Sequence, residues 1–87
     1  KRSYTHLQKT IFANFINIKI TLLSVRLKNV LRKYLCDDYS FDTFENLILL
    51  NPEDKLRNIN GIGDKSFVEL KKLINSVNEY IDTITHR

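Results

Sequence analysis

The chain has two glycines, one proline, one cysteine and neither tryptophan nor methionine in 87 residues. A single cysteine excludes an internal disulfide and a thiolate zinc cluster, and Cys36 reads as a small core or half-buried residue. Little glycine and proline excludes collagen-like repeats and flexible linkers, and the length allows one small domain. No apolar run approaches the roughly 18–20 residues of a membrane span, and the first residues lack the pattern of a signal peptide. The expectation is a soluble, cytoplasmic protein with no membrane partner, and a start at Lys1 rather than Met reads as a trimmed chain or a piece of a longer one. Neither a nucleophile elbow nor a P-loop is present. His6 and His86 lie at opposite ends with no ligand spacing around them, and Asp37, Asp38 and Asp42 lack the oxygen spacing of a calcium loop. The chain is therefore expected to be a non-enzyme with no metal, no cofactor and no small-molecule substrate.

What is present is an uneven distribution of charge. The net charge is +4, yet eight basic residues and no acid fall between Lys1 and Leu35, while all ten carboxylates follow from Asp37 onward. Such asymmetry favours a polyanionic partner for one face, nucleic acid above all.

Apolar spacing predicts helices. Leu7, Ile11, Phe12 and Phe15 mark one helical face, whereas Ile18, Ile20 and Leu22 alternate with polar residues and predict an extended arm. Ser24 is placed to cap a basic helix with Val25, Leu27, Val30, Leu31 and Leu35 (or Tyr34) inward and Arg26, Lys28, Asn29, Arg32 and Lys33 outward. Asp42 or Thr43 can cap a short apolar helix, Asn51 before Pro52 can cap another that ends near Asn58, and Asp64 can cap a long last helix with Phe67, Leu70, Leu73 or Ile74, Val77, Ile81 and Ile84 inward.

Both glycines sit in one turn, Ile59-Asn60-Gly61-Ile62-Gly63, between the last two helices. This is the helix-hairpin-helix pattern. Gly61 and Gly63 allow positive φ and close approach of a ligand backbone, and Ile62 anchors the turn from below. The free N–H groups opening the last helix attract a phosphate oxygen, and Lys65 and Ser66 add a cation and a hydroxyl donor.

Taken together, "LSVRLKNVL" and the later "INGIGDKSFVELKKLI" resemble the C-terminal domain of the bacterial RNA polymerase alpha subunit, over about Ile18 to Ile74. The resemblance implies a DNA-binding module of the transcription machinery that contacts the A·T-rich minor groove and the phosphate backbone of double-stranded DNA. RNA polymerase subunits and transcription activators are its implied protein partners, and the nucleoid of a bacterial cytoplasm its location. By position, Arg26 corresponds to the arginine that enters the minor groove and Asn29 to the asparagine at the backbone. Gly63, Lys65, Ser66 and Glu69 match hairpin positions around the phosphates, although a carboxylate at Glu69 is also placed to orient Ser66 or Lys65. Val30 and Asp64 depart from the family, the first unable to hydrogen-bond and the second repelling phosphate.

The expected fold is all-α: a compact bundle of four to five helices containing a helix-hairpin-helix, with an extended arm before the basic helix. One domain spans 1–87, with an additional N-terminal helix over 1–17, the alpha-subunit-like core over 18–74 and an extension of the last helix over 75–87. Two other functions fit the same residues: the DNA-binding appendage of a repair or recombination protein, and a protein-interaction domain whose basic helix meets an acidic transcription regulator.

Overall fold

The computed structural model of the chain describes residues 3–85, so Lys1, Arg2, His86 and Arg87 lie outside the described residues. Those described form an all-α bundle without strands: α1 (His6–Thr21), α2 (Val25–Tyr34), α3 (Phe41–Phe44), α4 (Glu53–Arg57) and α5 (Asp64–Thr85), with a π-helical turn over Glu45–Leu49 directly after α3.

The extended arm is not observed, because α1 continues through it to Thr21. Two helical stripes interleave there. Phe12, Ile16 and Ile20 repeat every four residues on the buried side, while Ile18 and Leu22 repeat every four residues on the outer side and are 62% and 74% exposed. Offset by two, the stripes imitate the alternation of a strand. Leu7, expected on the inner face, belongs to the outer stripe and is exposed. A capping box opens α1: the Gln8 N–H donates to Thr5 Oγ1 at 3.1 Å, and the Thr5 N–H donates to Gln8 Oε1 at 2.9 Å.

Several predicted caps move. Ser24 caps α2 as expected, accepting from the Leu27 N–H at 3.3 Å. Ser40, rather than Asp42 or Thr43, caps α3. Pro52 occupies the cap position of α4, and Asn51 instead donates its side-chain amide to Leu47 O at 2.6 Å and to Tyr34 Oη at 3.2 Å. Asn51 thus ties the π-helical turn to the end of α2. Asp64 is the first residue of α5, one position inside the cap, and the Gly63 carbonyl accepts the first intrahelical bond, from Phe67 N–H at 2.9 Å. Val25, expected inside, is 67% exposed. At the other end of α2 the chain reverses through Cys36 and Asp37 at φ 54° and 59°, and the Asp37 N–H bonds Arg32 O while the Cys36 N–H bonds Lys33 O. That is a Schellman end built without glycine, and Cys36 is exposed rather than core.

One continuous cluster of buried side chains draws on every helix. Phe12 is fully buried at its centre, with ring centroids 5.3 Å from Tyr4, 5.1 Å from Phe41 and 6.4 Å from Tyr80. Phe15 stacks flat on Tyr80 at 4.0 Å. With Phe15 beside Tyr80 at one end and Ser24 bonded to Glu69 at the other, α1 and α5 run antiparallel, and Val77 and Ile81 of the predicted extension are buried in the common core.

Candidate nucleic-acid interface

The start of α2 and the start of α5 are fixed to each other by one carboxylate. Glu69 Oε2 accepts from the Ser24 N–H at 2.8 Å, and Glu69 Oε1 accepts from the Ser24 hydroxyl at 2.8 Å. Both bonds satisfy the N-terminus of α2, where unpaired N–H groups and the helix dipole favour an anion. Glu69 therefore holds Ser24, and neither of the residues expected from sequence, Ser66 or Lys65. Since Arg26 is two residues beyond Ser24 and Lys65 is four before Glu69, this clamp sets the basic helix beside the hairpin side of α5.

A second contact brings α2 to the glycine turn. Asn29, Lys33 and Tyr34 of α2 and Asn60 and Gly61 of the turn line an open cavity of about 340 Å³. Its floor is Val30. A Cβ on Gly61 would stand 2.8 Å from Val30 Cγ2, and Gly61 has φ +96°, so this position needs glycine for conformation and for room. Val30, which departs from the family motif, is thus the residue that the turn packs on. Gly63 differs: its φ is not in the left-handed region, against expectation, and a Cβ there would meet nothing within 4 Å.

The remaining predicted residues separate into exposed and buried. Arg26, Asn29, Gly61, Gly63 and Lys65 are exposed, and among the described residues neither Arg26 nor Lys65 is engaged in an ion pair. Ser66 is buried, at 7% exposure. Ile59 is buried and Ile62 half-buried against the core, so the turn is anchored from beneath as expected. Across the turn, the Arg57 guanidinium lies 4.1 Å above the Phe67 ring, pinning α4 to the first turn of α5.

Sequence reasoning missed the Ser24–Glu69 clamp and the place of Lys33 and Asn60 in the cavity. For Lys33 a signal exists, because it follows Asn29 by four residues and so shares its helical face. For the clamp there is none; its partners are 45 residues apart.

Compared with known protein families, curated proteins and solved structures, the chain matches none. Among the described residues, no helix is long and apolar enough to cross a membrane, and no group of three or more His, Cys, Asp or Glu is placed to hold a metal ion.

Proposed function

We propose that the chain is a DNA-binding module that grips one stretch of duplex with the exposed face of α2 and the turn before α5, and that it serves the transcription machinery as its sequence resemblance implies. The observation that supports this most is the shared cavity joining Asn29 to Asn60 and Gly61, with the Ser24–Glu69 clamp fixing α2 to α5 beside it. Arg26, exposed and unpaired among the described residues, enters a narrow A·T-rich minor groove, where the negative potential is strongest. Asn29, the peptide N–H groups around Gly63 and the Lys65 ammonium hold phosphates. Ser66 and Glu69 act from behind, as a buried residue and a positioning carboxylate.

A titration of A·T-rich and mixed duplexes checks the proposal. With three to five phosphate contacts, log affinity falls against log salt with a slope of about −2.7 to −4.5. Arg26→Ala costs about 1–3 kcal/mol on A·T-rich duplex and abolishes the preference for it, whereas Lys65→Ala weakens all duplexes alike and lowers the slope by about one. Affinity for neither duplex at low salt, or variants indistinguishable from the parent chain, would end this reading. The exposed Asp64 carboxylate beside Lys65 favours a second one, in which the basic face of α2 meets an acidic protein segment, and backbone amide signals unmoved by duplex would select it.

A further inference from the structure

The outer face of α1 carries no lysine, arginine or carboxylate. Its exposed residues are His6, Leu7, Thr10, Asn14, Ile18 and Thr21, in a chain where 28% of residues are charged. The two lysines of α1 are occupied elsewhere, Lys9 with Asp42 at 3.0 Å and Lys19 over the Phe15 ring at 5.4 Å. On α5, by contrast, Asp64, Lys65, Lys71, Lys72, Glu79 and Asp82 are exposed.

Leu7, Ile11, Ile18 and Leu22 form an apolar stripe on that face, about 150° around the helix from the buried stripe of Phe12, Ile16 and Ile20. Leu7, Ile18 and Leu22 are 68%, 62% and 74% exposed, and Ile11 is half-buried. A helix apolar on two opposite sides has one side still to cover.

The spacing of the stripe identifies what covers it. Its residues are separated by four, seven and four positions, so the stripe reads the same in both directions about a centre between Asn14 and Phe15. Only a two-fold antiparallel pairing with an identical helix uses that symmetry: Leu7 then meets Leu22 of the partner subunit, Ile11 meets Ile18 of the partner subunit, and both pairs recur across the axis. The absence of charge agrees, because a partner chosen by its charge finds nothing to read and a second copy meets no repulsion along the seam. We infer that α1 is a homodimerisation surface on which two copies of this chain pack antiparallel through Leu7, Ile11, Ile18 and Leu22. The seam is about 22 Å long and lies at the small end of specific interfaces, so association depends on concentration.

Sedimentation equilibrium of the full chain, from about 10 μM to about 1 mM at 0.15 M salt, tests the inference. The expected result is a reversible monomer–dimer equilibrium. Leu7→Glu and Leu22→Lys, each on an exposed site, raise the dissociation constant about tenfold or more while leaving the helical circular dichroism and the urea midpoint unchanged. The double variant L7E/L22K regains the dimer, because antiparallel packing sets each new glutamate against a new lysine, whereas parallel packing would oppose like charges. A chain that remains monomeric at every concentration overturns the inference and leaves the face to a segment of another protein. So does a dimer that both single variants leave intact, or a double variant as monomeric as the single ones. None of these outcomes depends on DNA.

Discussion

At the residue scale the two glycines of the turn are distinguished by their surroundings. Gly61 is required by the fold: its φ of +96° and the 2.8 Å approach to Val30 Cγ2 mean that Gly61→Ala strains the backbone and overpacks the floor of the cavity together. The expected cost is about 2–4 kcal/mol, and it falls to about 1–2 kcal/mol in a Val30→Ala background, where only the backbone strain remains. Gly63 has neither requirement, so Gly63→Ala costs less than about 1 kcal/mol, the effect of a weaker helix cap. Under the proposed function its use is the close approach of a DNA backbone. Urea unfolding and duplex titration of the two variants separate these roles: Gly63→Ala moves the binding curve far more than the unfolding midpoint, and the opposite ranking would return Gly63 to the scaffold.

At the scale of elements, short polar bridges decide where helices begin. Asp38 Oδ1 accepts from the Ser40 N–H at 3.0 Å and Asp38 Oδ2 from the Thr43 hydroxyl at 2.6 Å, fixing the chain into α3. The Thr43 hydroxyl first, and then the Ser40 donors, hold the Asp38 carboxyl below the usual carboxylate range. Hydrogen bonding and then attraction from Lys71, whose ammonium is 2.8 Å from Glu53 Oε1, do the same for Glu53 between α4 and α5. A folded pKa below the unfolded one gives stability that is complete above the unfolded value and lost as pH falls through the folded value. The thermal midpoint is therefore expected to be flat from about pH 7 to about pH 5 and to fall below about pH 4, with a shallower acid limb in Asp38→Asn. Equal limbs in the variant and the parent chain would show that Asp38 takes no part. The same elements show what was legible beforehand. The positions of α2, α4, α5 and the glycine turn follow from local spacing, caps and turn chemistry, which neighbouring residues fix. The course of α1 beyond Phe15 is not legible locally because two stripes offset by two residues mimic a strand, and only packing in the common core, where Phe12 and Phe15 meet Tyr80 of α5, decides which one is buried. Of the candidate site, Arg26, Asn29, Gly61 and Lys65 are exposed as expected, but the burial of Ser66 and the hold of Glu69 on Ser24 are tertiary events that neither local sequence foretells.

At the scale of the whole molecule, the question is whether α1 and the second half of α5 are an attachment to the hairpin module or part of what keeps it folded. Phe12 decides it. The ring is fully buried, meets Tyr4, Phe41 and Tyr80, and so joins the segment before α1, the start of α3 and the far end of α5 in one contact set. α2 and the turn lean on that set through Leu27, Leu31 and Leu70, none of which retains exposure. Removing the ring with Phe12→Ala costs about 3–5 kcal/mol, against a total of about 5–15 kcal/mol for a domain of this kind. If the core is continuous, that loss is felt by every element together. Urea unfolding of the variant, followed by tyrosine fluorescence and by helical circular dichroism, gives coincident transitions at a lowered midpoint, and duplex affinity disappears at the same denaturant concentration. A first transition that melts α1 and the end of α5 while Asn29 and Gly61 keep their native amide shifts would instead make the hairpin module an independent unit. Coincidence is the expectation, because the clamp between Ser24 and Glu69 and the stacking of Phe15 on Tyr80 tie α5 to the chain around α1 near both of its ends, and the Tyr80 end cannot be released without exposing Phe12.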